Sequence, residues 1–231
     1  MSRTIGIIGD THEPYCKEGY LEFCVQTFKT FGVDEVIHIG DEVDNAALSY
    51  HEKQTAMPNA DTELEQAMVA MKKWYKAFPD VKVCVGNHSA LPFRQATTAG
   101  IPARMLKSYN DIWEAPKTWN WELDFTIDNV LYTHIIPSGI GGALKHAMKV
   151  RQSVVGGHCH AFAGVNYSAS YRDTIFGMNV GCGVDNEHMA FAYGRQFPNK
   201  PMLTCGIVAD DGRTGVVVPM DLGTKITING I

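Results

Sequence analysis

The chain has 231 residues, 45% hydrophobic and 19% charged, with a net charge of -5 at pH 7. That balance describes a globular protein able to bury a core, and no linker-like stretch divides it, so one domain over 1–231 is expected. The acidic balance excludes a broadly basic, sequence-blind nucleic-acid binder, though not a local basic stripe, and no apolar run approaches membrane-spanning length.

The apolar, β-branched stretch Thr4-Ile5-Gly6-Ile7-Ile8 predicts a buried strand ending at Gly9-Asp10. A strand this early leaves no room for a signal peptide. Cys16, Cys24, Cys84, Cys159, Cys182 and Cys205 lack C-x-x-C spacing, so free thiols in a reducing, cytoplasmic compartment are expected. An amphipathic helix is predicted over about Lys17 to Phe31, with Leu21, Cys24, Val25 and Phe28 at helical spacing and Gly32 as its stop. A strand over about Glu35 to Ile39 follows and ends in Gly40-Asp41. This β-α-β opening implies parallel strands joined by a right-handed crossover.

The polar stretch to Pro58 has room for a short helix. A long helix is predicted from Asp61, as N-cap, to Phe78, then a strand from Val81 to Val85 ending in Gly86-Asn87-His88. Short helical turns are expected between Pro92 and Tyr109. Trp113, Trp119, Trp121 and Phe125 could stack nucleobases, but core packing is the commoner use and is expected here. Val130 to Thr133 reads as a strand that delivers His134. Gly139, Gly141 and Gly142 precede a helix over Ala143 to Val150; their spacing matches no phosphate loop, so a plain turn is favoured over an anion site. A strand over Ser153 to Gly157 leads into His158-Cys159-His160. Strands at Phe162–Ala169, Thr174–Val180, Met202–Ala209 and Thr214–Val218 make the second half β-rich and partly antiparallel.

Oxygen and imidazole donors thus collect at strand ends, where open α/β sheets bind ligands. Asp10-x-His12 and His158-x-His160 are i, i+2 pairs that project to one side if the backbone is extended, with Cys159 pointing away. Asp41, Asn87, His88 and His134 occupy similar strand-to-loop positions. A donor set without thiolate suits Mn, Fe, Zn or Ni, and Mg less well. His38, His51, His146 and His188 are expected to be structural.

The ordered motifs Gly9-Asp10-Thr11-His12, Gly40-Asp41-Glu42-Val43-Asp44, Gly86-Asn87-His88, His134 and Gly157-His158-Cys159-His160 resemble those of the calcineurin-like metallophosphoesterases. They span residues 9–160, about two-thirds of the chain. The resemblance implies an α/β fold, a four-layer α/β/β/α sandwich whose two mixed sheets are flanked by helices. It implies a metal-dependent phosphoesterase with two divalent metal ions, manganese favoured and iron, zinc or nickel as alternatives. Asp10, His12, Asp41 and His160 are then implied as ligands of one ion, and Asp41, Asn87, His134 and His158 as ligands of the other. His88 is implied beside the scissile phosphate, oriented by Asp44, with a metal-bridging hydroxide as the attacking group. Two divalent ions about 3.5 Å apart repel by roughly 19 kcal/mol at an effective dielectric of about 20, which gives the shared Asp41 carboxylate its reason.

Two positions depart from the family pattern. Ser89 stands where the family often has an acid. Asn45 stands where phosphoprotein phosphatases carry a phosphate-gripping arginine, which counts against that activity. Arg94 is a candidate replacement, with a plain surface arginine as the equal alternative. The expected substrate is a phosphodiester in preference to a monoester, a small molecule or nucleotide more than a polymer. A nuclease of the same family acting on DNA or RNA, and a metal-binding scaffold without hydrolysis, are the alternatives.

Overall fold

In the computed structural model, residues 2–50, 58–185 and 199–221 are described. Strand β1 (Ile5–Ile8) is entirely buried, as its apolar run demands, and it pairs in parallel with β2 (Glu35–His38) through helix α1 (Tyr20–Phe31). Helix α2 (Ala60–Ala77) then crosses to β3 (Val81–Cys84), which pairs in parallel with β2. Helices α3 (Leu91–Thr98) and α4 (Tyr109–Ile112) lead to β4 (Trp119–Glu122), parallel to β3. The sheet is completed on its other side by β10 (Thr204–Ala209), antiparallel to β1, and β11 (Thr214–Pro219).

A second, five-stranded sheet consists of β5 (Asp124–Ile127), β6 (Val130–Thr133), β7 (Ser153–Gly156), β9 (Thr174–Asn179) and β8 (Gly164–Ala169), in that spatial order. β6, β7 and β9 run parallel, and the edge strands β5 and β8 run antiparallel to their neighbours. Helix α5 (Gly142–Val150) covers the outer face.

Three separate apolar clusters show the layering. Ile5, Ile7, Ile37 and Ile39 of the first sheet meet Val130, Tyr132, Val155 and Phe176 of the second. Phe28, Met71 and Trp74 of α1 and α2 pack on the other face of the first sheet, against Ile8, Val83 and Ile207. Ala143 and Ala147 of α5 pack on Val154 and Ile175. The fold is the four-layer α/β/β/α sandwich. Alternation along β1 explains the split, because Ile5 and Ile7 face one cluster and Ile8 the other.

Several boundaries differ from expectation. The first helix begins at Tyr20, because Gly19 adopts a left-handed φ of 84° that a continuous helix cannot include. Asn59 caps α2 by accepting from Thr62 N–H at 3.0 Å, so Asp61 sits in the first turn, where its charge opposes the helix dipole favourably. Strands β8 and β10 start two residues later than the apolar pattern suggests, at Gly164 and Thr204. The tryptophan-rich stretch forms two edge strands, β4 and β5, where none was predicted. Trp113 and Trp119 are buried as core, while Trp121 and Phe125 are half-buried. His51 and His188 lie outside the described residues. The six cysteines are free, and among the described residues no helix is long and apolar enough to cross a membrane.

Helix α5 lies so close to β9 that a Cβ on Gly177 would collide with the backbone of Ala143 and Leu144. Gly177→Ala is therefore expected to cost about 1–3 kcal/mol of stability, the usual scale of overpacking. Urea unfolding measures it, and an unchanged midpoint would contradict this packing.

Candidate metal centre

The C-terminal ends of β1, β2, β3, β6 and β7 gather the polar residues between the two sheets. Asp10, two residues beyond β1, is fully buried, and its Oδ2 accepts from His158 N–H at 2.8 Å and His160 Nε2 at 3.0 Å. Asp41, three beyond β2, is likewise buried. Its Oδ1 accepts from His88 N–H at 2.7 Å and Ser89 N–H at 3.3 Å, and its Oδ2 lies 3.0 Å from His134 Nε2 and 3.8 Å from His12 Nε2. Burial opposes ionisation of both carboxyls. The positive field of His134, joined by His160 at Asp10 and by His12 and His88 at Asp41, outweighs it and holds both below the usual carboxylate range.

The imidazoles are oriented from behind. His134 Nδ1 donates to Ile39 O at 3.1 Å, turning Nε2 toward Asp41 and toward Asn87 Oδ1 at 3.1 Å. His12 Nδ1 donates to Asp44 Oδ1 at 2.6 Å. His88 Nδ1 lies 2.6 Å from Asp44 O and 3.2 Å from Asp44 Oδ1. Asp44 therefore holds two histidines rather than His88 alone. Burial disfavours charge on His88 and His134, but Asp44 and Asp41 at His88, and Asp41 and Asp10 at His134, raise each to about 9. Burial wins at His12 and His158, which are shifted below 6.5.

Two groups could each hold a metal ion: Asp10, His12 and His160, and Asp41, His134 and His158, the ligand atoms of each lying within 4.8 Å of one another. Asn87 joins the second group through His134, and Asp41 faces His12 of the first. His12, Asp44 and His88 form a third such cluster. The backbone reaches this arrangement through left-handed residues, His12 at φ 49°, Asp41 at 50° and His158 at 68°. The Asp10-x-His12 and His158-x-His160 pairs are therefore not regular extended segments, and His160 and His158 fall in the two different groups to which the family resemblance assigns them. Cys159 does point away, packing against the α5 cluster.

The residues suit a bound cation. Asp10 Oδ1 is buried with no hydrogen-bond donor among the described residues, an arrangement costly unless a positive charge supplies the partner. Glycines clear the space around both carboxylates: a Cβ on Gly157 would strike Asp10 Oδ1, and one on Gly86 would strike Asp41 Oδ1. Oxygen and imidazole donors without sulfur match borderline transition metals.

Other sequence-predicted residues lie further out. Arg94 is exposed on α3, its guanidinium 5.4 Å from the centre of the Tyr50 ring. His38 is buried and satisfied, its Nε2 paired with Thr11 Oγ1 and its Nδ1 accepting from Gly40 N–H, and burial drops its pKa to about 3. It is structural, as expected.

Sequence reasoning missed the buried glutamates that brace these loops. Glu42 accepts from Ser89 Oγ at 2.6 Å and Trp121 Nε1 at 3.1 Å. Ser89, standing where the family often has an acid, is thus coupled to an acid that follows Asp41. Glu63 accepts from Ala46 and Ala47 N–H, each at 2.7 Å, and fixes the chain just after Asp44. The only signal for Glu42 was its place inside a strand-end motif.

A family model of calcineurin-like phosphoesterases matches residues 3–161. The chain belongs to that family. A comparison with curated proteins returns no match. Among solved structures, a novel archaeal phosphodiesterase is similar over 94% of this chain and 99% of its own, at 16% identity and a TM-score of 0.47. Vacuolar protein sorting 29 from Cryptosporidium parvum is similar over 96% and 94%, at 11% identity and 0.49. Yfce, a phosphoesterase from E. coli, is similar over 94% and 100%, at 14% identity and 0.42.

In this calcineurin-like phosphoesterase freed of metal, His88 and His134 keep their protons to about pH 9. The stability they lend is fully present below pH 6.5 and is lost as pH rises through about 9. Urea unfolding of chelator-treated protein should show stability falling across that window, with a smaller fall in His88→Gln. A flat profile would contradict the assignment.

Proposed function

We propose that this calcineurin-like phosphoesterase is a dinuclear-metal enzyme that hydrolyses phosphodiesters in preference to monoesters. Asp10, His12, Asp41 and His160 hold one divalent ion, and Asp41, Asn87, His134 and His158 hold the other, with manganese the favoured metal. When bound, two such ions supply Lewis acidity toward phosphoryl oxygens and a hydroxide nucleophile at neutral pH. The observation that carries this reading is the position of Asp41, a buried carboxylate whose Oδ2 faces His134 of one group and His12 of the other.

The chain's own side chains supply the rest. Asp44 engages His88 at Nδ1 through both its carbonyl and its carboxylate, leaving Nε2 as the nitrogen that meets the phosphate. A cationic His88 there stabilises charge building on the phosphoryl oxygens and passes a proton from Nε2 to the leaving alkoxide. Asp44 thus acts as a positioning residue for His88 and, through His12 Nδ1, for a ligand as well.

The diester preference is supported by what surrounds His88. Asn45, in place of an arginine, donates through Nδ2 to His88 O at 2.9 Å, so its side chain braces the His88 turn. A monoester carries a second negative charge that calls for a further cation beside the phosphate. Arg94, stacked on Tyr50 and exposed, serves to attract an anionic substrate rather than to grip it.

Purified protein with added manganese should hydrolyse bis(p-nitrophenyl) phosphate with a higher kcat/KM than p-nitrophenyl phosphate. Preference for the monoester would overturn the diesterase reading, and inactivity on both with metal bound would overturn the enzymatic one. His88→Asn should lower kcat by about 10²–10⁴-fold, the range for loss of a positioned proton donor, with metal content unchanged.

A further inference from the structure

Between the N-terminal end of α5 and the start of β8 lies a cavity of about 340 Å³. Ile140, Phe162 and Met202 give it apolar walls, Asn166 and Asn179 give it amides, and among the described residues no charged side chain lines it. Its wall is built onto the His158–His160 turn. Ala161 and Phe162 follow His160 directly, Met202 N–H donates to His160 O at 2.8 Å, and Asn179 Nδ2 donates to Cys159 O at 2.9 Å. Consecutive Cα atoms are about 3.8 Å apart, so the Phe162 backbone lies within about 8 Å of that of His160.

The lining sets the chemistry of an occupant. Ile140 is 81% exposed at the cavity and Met202 41% exposed, so apolar surface faces water beside the strand ends that carry the metal-ligand types. The volume sits at the low end of small-molecule sites, roughly 300–1,000 Å³, which suits one ring system. A charged substituent would enter without a counter-charge from any of the described lining side chains, whereas an uncharged ring would bury its faces against Phe162 and Ile140.

We propose that this cavity receives the uncharged, apolar or aromatic part of the phosphate ester, so that the enzyme selects esters of ring-bearing alcohols over small ones. The inference rests on the phosphoesterase reading and names its substrate class.

Phenylphosphonate and methylphosphonate share a phosphoryl group and differ in the ring, and neither is hydrolysed. Calorimetry on zinc-loaded protein should find the phenyl compound bound about tenfold or more tightly, the scale of burying one ring. The methyl resonances of Ile140 and Met202 should shift with the phenyl compound alone. Asn166→Trp, a larger side chain at an exposed position of the cavity wall, should erase the difference and leave methylphosphonate affinity unchanged. Phe162→Ala should reduce it from the opposite side. Equal affinities in the unsubstituted protein, or a preference that survives both variants, would overturn the inference. Hydrolysis of bis(p-nitrophenyl) phosphate separates the two ideas. Turnover with equal phosphonate affinities sinks the cavity alone. Ring-dependent binding without turnover sinks the phosphoesterase reading and leaves the cavity as a ligand site.

Discussion

Two carboxylates buried between the sheets, Asp10 and Asp41, carry the constraint on which the centre depends. Charge so far from water is unfavourable unless it is paired. Around Asp41 the chain supplies backbone N–H groups from His88 and Ser89 and imidazoles from His134 and His12. Around Asp10 it supplies His158 N–H and His160, and one oxygen has no donor among the described residues. The imidazolium on His134 is therefore best seen as a resident cation of the metal-free state, standing beside the carboxylate that a divalent ion would neutralise. If His134 ligates that ion, metal uptake would be linked to loss of the proton, because a ligating imidazole must be neutral.

The fold serves this constraint by delivering each donor from a different strand end and bracing it from behind. Backbone carbonyls and buried acids do the bracing: Ile39 O for His134, Asp44 for His12 and His88, Glu42 for Ser89, and Glu63 for the chain after Asp44. These partners are fixed by a packed sandwich rather than by loops alone. The cavity wall is tied to the His158–His160 turn by Met202 N–H on His160 O and Asn179 Nδ2 on Cys159 O.

Much of this was legible in the sequence because strand ends are marked by an apolar run, a glycine and then a polar residue. Asp10, Asp41, Asn87 and His158 were each found that way, and His134 by its place directly after the run Val130 to Thr133. What local pattern could not give was direction. Side-chain alternation holds for extended backbone, and His12, Asp41 and His158 are left-handed instead. The bracing glutamates were hidden for another reason: charged residues are expected at the surface, and only tertiary contacts reveal that Glu42 and Glu63 are buried with partners. The edge strands β4 and β5 were masked because their aromatic residues read as core packing before they read as alternation.

The central claim is that the negative charge on Asp41, and not merely its shape, holds two ions together. Asp41→Asn keeps the shape and removes the charge. Metal content by plasma mass spectrometry, after loading with manganese and desalting, tests this directly. The account predicts two equivalents per chain in the unsubstituted protein and fewer than one in Asp41→Asn, with the fold intact by circular dichroism. Retention of two equivalents in Asp41→Asn would contradict it.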